Sequence, residues 1–196
     1  MLSKEQAKKK VLDYLKNSMI PYKFLDEVKE KGNLIPEMKN HDSIHICTEI
    51  PEVIGKHIET MLRFYDDHLY CQSYYCMPIT DNKEESIRAA RLINYINLHL
   101  EYDPEYNCDN LYPHIFMLDD ENGYIMNGCL IRYELLLEYF QESMDHILNL
   151  SVQQLKDVCP AIVFYTMGEI DYFTATKRLI DYAIMGKETA GPEYII

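Results

Sequence analysis

The chain contains no tryptophan and only seven glycines in 196 residues. So little glycine leaves no phosphate-cradling loop: neither a P-loop nor a dinucleotide fingerprint can be found, which removes the commonest nucleotide-binding routes. Long apolar runs are missing too. Nothing approaches the roughly 20 residues that a membrane-spanning helix needs. Met1 to Lys10 is polar and basic with no apolar stretch behind it, so it does not read as a secretory signal. The expected compartment is the cytoplasm, with no membrane partner. Basic charge is scarce: 19 Lys and Arg face 32 Asp and Glu, a formal net charge of −13. Such a chain repels phosphate backbones, which argues against nucleic-acid binding. The cations gather once, at Lys8, Lys9 and Lys10 beside Lys4, and there they read as the solvated face of a short helix. Paired Cys-x-x-Cys is absent. Cys47, Cys71, Cys76, Cys108, Cys129 and Cys159 are scattered, and in a reducing compartment they read as small buried hydrophobes.

What the chain does have is tyrosine, 17 in all, and a hydrophobic fraction of 47%, enough for one well-packed domain. Tyrosine suits half-buried sheet faces, where the ring packs and the hydroxyl stays at the water edge.

Periodicity divides the chain into elements. Ser3 and Gln6 make a capping box, and Ala7, Val11, Tyr14 and Leu15 then recur at helical spacing until Pro21 blocks continuation. Tyr22 to Asp42 is punctuated by Gly32, Pro36 and Asn40 and reads as loop-rich. Ser43 to Ile50 predicts a strand with Ile44, Ile46, Thr48 and Ile50 on one face. Ile58, Thr60, Leu62 and Phe64 alternate with Glu59, Met61, Arg63 and Tyr65. Asp66-Asp67 turns the chain, and a strand rich in Tyr and Cys follows from Leu69 to about Ile79, giving a first β-hairpin. Asp81 and Glu84 form a second capping pair for a helix to about Leu100, with Ala89, Leu92, Ile93 and Ile96 on its apolar side. The second hairpin joins Ile115–Leu118 to Tyr124–Tyr133 through a turn closed by Asn122-Gly123, a pair that accepts positive backbone angles. The rest is helical. Ser151 with Gln154 is expected to start a new helix, Pro160 to interrupt or restart it and Gly168 to break it. Phe173, Thr176, Lys177, Ile180 and Ile184 outline a last helix.

The fold class is therefore α+β: an antiparallel sheet built from hairpins with helices packed on it. Hairpins dominate over strand-helix-strand crossovers, which excludes a doubly wound parallel sheet.

Three stretches carry a family resemblance. They are Ile93-Asn94-Tyr95-Ile96-Asn97, then Phe116 through Ile125 with its acidic-Gly turn, and Asp157-Val158-Cys159-Pro160-Ala161-Ile162. In order and polarity the chain resembles the YbjN family of bacterial sensory transduction regulators, related in fold to type III secretion chaperones. The resemblance spans roughly residues 4 to 168; residues 1–168 are taken as one domain, which leaves 169–196 as a C-terminal helical extension and tail. Tyr22 to Asp42 is longer than the family pattern needs. The resemblance implies an N-terminal helix, three strands, a helix, a strand pair and a closing helix. It also implies a protein-binding or regulatory module with neither catalytic residues nor a cofactor.

Two places could carry function. Tyr70, Tyr74 and Tyr75, with Tyr65 across the turn, are expected to line a sheet face, either as cross-strand packing or as a groove for a protein partner, a second copy of the chain included. The alternative is a small metal-binding protein or hydrolase built on His41, His45 and Cys47, with His57 nearby. Zinc accepts His nitrogen and Cys sulfur, and His45 and Cys47 would share a face in a strand, but the spacing matches no standard finger. Asp119, Asp120 and Glu121 are accounted for by the hairpin turn. A binding module would show an exposed apolar or Tyr-lined patch. An enzyme would show a concave pocket where titratable groups converge.

Overall fold

The computed structural model of the chain describes residues 4–25, 42–51, 56–75, 83–99, 115–119 and 123–185. The first helix, α1 (Lys4–Asn17), forms because Ala7, Val11 and Leu15 repeat every four residues and are fully buried. Its lysines are less idle than a solvated face would be. Lys4 and Lys8 both hold Asp42, and the Lys10 ammonium lies 4.3 Å from the Phe140 ring centroid. Burial works against the Asp42 carboxylate, but hydrogen bonds from Lys4 and Lys8 outweigh it and keep its pKa below the ordinary value.

The sheet contains β1 (Lys23–Phe24), β2 (Ser43–Glu49), β3 (His57–Phe64), β4 (His68–Tyr75), β5 (Ile115–Leu118) and β6 (Ile125–Arg132). Its order is β1-β2-β3-β4-β6-β5, with every neighbouring pair antiparallel. Both predicted hairpins are present, and β4 joins them by pairing with β6. The sequence pattern did not single out β1, which is only two residues long. The second hairpin turns at Gly123, whose φ of 70° is where a side chain would be strained; its amide donates to the Asp119 carbonyl. Asn122, Ser3 and Asp81, named above for turn and caps, lie outside the described residues.

The described helices all lie on one side of this sheet. They are α1, α2 (Lys83–His99), α3 (Tyr133–Glu138), α4 (Phe140–Asp145), a π-helical turn (His146–Leu150), α5 (Ser151–Thr166) and α6 (Tyr172–Met185). This is an α+β fold, an antiparallel sheet with helices packed on it. Two apolar clusters fill the space between the layers. One joins Ile44, Leu62, Phe64, Leu69 and Ile131 to α1, α3 and α4. The other joins Ile58, Tyr75, Phe116 and Ile125 to α2, α5 and α6.

A polar seam runs between the two clusters. Thr60, Ser73 and Asn127 occupy neighbouring register positions on β3, β4 and β6, and all three are buried. Thr60 and Ser73 hydroxyls are 2.9 Å apart, Ser73 meets the Ser151 hydroxyl at 3.0 Å, and the Asn127 amide donates to the Ser151 carbonyl at 3.0 Å. Ser151 is thus not a helix cap. Its hydroxyl donates back to the Ile147 carbonyl, and the helical path continues through it from the π-helical turn. Ser-x-x-Gln spacing cannot distinguish a cap from a mid-helix serine that serves the opposite layer.

Two other helical expectations are corrected by burial. Pro160 sits inside α5 without ending it. A mid-helix proline costs about 3 kcal/mol, and here Val158, Cys159, Ala161, Ile162 and Val163 are all buried around it. Among the positions of α6 whose burial is described, Ala175, Thr176 and Leu179 are buried, while Phe173 is 76% exposed. Of the predicted stripe, Thr176 is buried as expected, whereas Phe173, Lys177 and Ile180 are exposed and Ala175 and Leu179 face inward instead; the burial of Ile184 lies outside the description. Gly168 does end α5: it has φ of 80°, and the Glu169 amide reaches back to the Phe164 carbonyl and that of Gly168 to Tyr165, a Schellman closure.

Candidate functional site

Period-two alternation gives every strand a second face, and none of the described helices covers it. Its central row, read across the register, is Lys23, His45, Met61, Gln72, Gly128 and Ile115. The row on one side is Glu59, Tyr74, Met126 and Met117; the row on the other is Arg63, Tyr70 and Leu130. Leu130 is 52% and Ile115 53% exposed, high values for large aliphatic side chains. Gly128 shapes the centre. A Cβ built there would come within 3.0 Å of the Cys71 carbonyl and 3.3 Å of the Met117 methyl, so its absence is what lets Met117 lie over the strand. Tyr74 donates to Gln72 at 2.8 Å, and the Gln72 amide reaches the Met126 sulfur at 3.3 Å. The surface thus mixes methionine and aliphatic side chains with an ordered polar line. Burial pushes the Tyr74 hydroxyl pKa up to about 12 and raises that of Tyr70, so both stay protonated donors through the neutral range.

Three of the four expected tyrosines belong here. Tyr70 and Tyr74 lie within β4, and Tyr65 lies just past β3, stacked on His68 with ring centroids 4.8 Å apart. Tyr75 is a correction. It is only 1% exposed and packs into the helix-covered core. Adjacent strand residues point to opposite faces, so Tyr74 and Tyr75 cannot share one. The methionines were not foreseen. Their signal was the same alternation, legible in Met126, Gly128 and Leu130 of β6.

His45 and Cys47 do share this face on β2, as predicted, while His41 lies outside the described residues. Glu59, directly opposite Cys47, holds His45 Nε2 at 2.8 Å, with His57 Nε2 at 3.8 Å. The hydrogen bond from His45 is the main cause that depresses the Glu59 pKa, against the opposing effect of burial. Burial first, then Glu59 and Glu49, raise the Cys47 thiol pKa, so it stays protonated and is a poor nucleophile. Among the described residues no three His, Cys, Asp or Glu side chains are grouped to hold a metal ion. An open depression of about 470 Å³ lies elsewhere, beside β2 and α5, lined by Thr48, Ile50, Leu148 and Val152 with Asp145 and Lys156; no His or Cys lines it. No helix of the described residues is long and apolar enough to cross a membrane.

No family model matches the chain, and neither a curated protein nor a solved structure matches it. What fold and site define is an α+β protein: among the described residues one sheet face carries the helices, and the other carries tyrosine, methionine, aliphatic and charged side chains.

Proposed function

We propose that this chain is a non-enzymatic, cytoplasmic protein-binding or regulatory module that receives a polypeptide on the uncovered face of its sheet. The observation that carries the reading is the apolar field centred on Gly128, with Leu130 and Ile115 more than half exposed at its edge. Methionine adapts its shape to a partner, and tyrosine contributes large contact area with little entropy to lose. The element order supports the same reading. Leaving aside the two-residue β1, the described elements run helix, three strands, helix, two strands and then helices. That is the order the YbjN resemblance implies. The alternative, a metal-binding protein or hydrolase on the His41 to His57 region, has a protonated Cys47 and a carboxylate already engaged by His45 against it.

Site-specific photocrosslinking in the native cytoplasm tests the proposal. A benzophenone amino acid at Tyr74 or Leu130 is expected to give a covalent protein adduct, whereas the same group at Ile87, exposed on α2, should not. Equal labelling from both layers, or adducts from neither sheet position, would overturn it.

A further inference from the structure

The π-helical turn His146–Leu150 takes up one residue more than an α-helical turn would, and the sheet holds it in that state. The Ser151 amide donates to the carbonyl of His146, five residues back. The Ile147 carbonyl, which that amide would reach in an α-helix, accepts the Ser151 hydroxyl instead at 2.5 Å. From the sheet, Ser73 meets the same hydroxyl and Asn127 donates to the Ser151 carbonyl, both at 3.0 Å. The extra residue is therefore fixed from the opposite layer. A single π-helical turn within an α-helical path is rare and recurs at functional sites.

What the extra residue produces is a wall. The consecutive residues Leu148, Asn149 and Leu150 all line the depression beside β2. A straight α-helix advances about 100° per residue and would spread three such residues over about 200°, turning one away. Ile50, just past β2, and Val152 of α5 are nearly buried and floor the hollow. Its volume, about 470 Å³, falls in the range of small-molecule sites. The polar side chains at the rim are already engaged. The Asn149 amide donates to Asp145 at 2.5 Å, the Gln153 amide donates to Asp157 at 2.7 Å, and Lys156 has a partner as well. An incoming charged group would give up hydration for little in return, whereas an apolar one gains contact with Ile50, Leu148 and Val152.

We infer that this depression is a binding site for a small, uncharged, apolar molecule, and that the π-helical turn is the device that shapes it. The site lies on the helix side of the sheet and does not depend on what occupies the uncovered face.

N-phenyl-1-naphthylamine, an uncharged probe that fluoresces in apolar surroundings, tests this on the purified full chain. Saturable binding is expected, with amide shifts in nuclear magnetic resonance confined to Thr48, Ile50 and residues 148–156. Deleting the exposed Asn149 removes the extra residue and lets α4 and α5 join as one α-helix with both flanks still facing their clusters. That variant should fold, as circular dichroism reads it, and bind the probe at least about tenfold more weakly. Leu148→Trp fills the hollow without touching the backbone and should give the same loss, which keeps the test decisive if the deletion fails to fold. A wild type without saturable binding would overturn the inference, as would affinity that Leu148→Trp leaves intact. Shifts that map instead to Tyr70, Met126 and Leu130 would overturn it too. A folded deletion variant that binds as wild type would overturn the role given to the turn.

Discussion

At the residue scale, neighbouring tyrosines separate packing from presentation. Tyr75 fills the core beneath α2 and α5, and Tyr74 lies on the uncovered face with its hydroxyl on Gln72. Tyr75→Ala should cost about 3–5 kcal/mol, the range for truncating a buried aromatic. Tyr74→Ala, at a half-buried position, should cost clearly less than that. Urea titrations of both variants compare them directly, and equal losses would contradict the assignment of faces. Glu59 sets a pH dependence on that same surface. Its pKa in the folded protein lies below the 4.5 of an unperturbed glutamate. The stability it contributes is therefore fully present above that value and is lost as pH falls through the lowered one. The urea midpoint of Glu59→Gln should fall below that of wild type at pH 7, and the gap should close as the solution is acidified past 4.5.

Edges decide behaviour at the scale of elements. An unpaired strand edge invites pairing with another chain. The β5 edge is closed by one side chain: Asn97 of α2 donates to the Phe116 carbonyl and accepts from the Phe116 amide, both at 2.9 Å, in the manner of a neighbouring strand. Asn97→Ala should cost about 1–3 kcal/mol for the two hydrogen bonds. It should also speed hydrogen exchange at the Phe116 amide while leaving the β3 amides protected. Unchanged exchange at Phe116 would show that the edge is held by something else. The asparagine in this stretch was part of the family resemblance. Its bond to a strand nineteen residues on was not legible, because nothing local marks which helical side chain will meet a sheet edge.

For the whole molecule the question is whether two clusters make one unit. The polar seam of Thr60, Ser73, Asn127 and Ser151 divides them. Yet β3, β4 and β6 each contribute to both clusters, and α4, the π-helical turn and α5 run without a gap from one to the other. Unfolding should therefore be a single cooperative transition. Leu62→Ala in one cluster and Leu155→Ala in the other should each lower stability by about 2–5 kcal/mol, with the denaturant slope unchanged. A biphasic curve in either variant would mean that the clusters fold apart.

Short-range pattern by itself determined the α+β class, both hairpins and most of the buried positions. Strand alternation and helical spacing report one apolar side per element, and the run of Ile58, Thr60, Leu62 and Phe64 does so without ambiguity. Turn chemistry was equally plain at Gly123 and Gly168, where positive φ favours a residue without a Cβ. Only the tertiary structure decided that all the described helices lie on one face of the sheet, because layer assignment depends on contacts far apart in the chain. That choice made a surface of Tyr70, Tyr74, Met126 and Leu130. It also recruited Ser151 to a seam where local spacing had suggested a cap, and turned Ala175 inward in place of Phe173. A period names the two sides of a strand or helix; which side meets water is settled by what packs against the other.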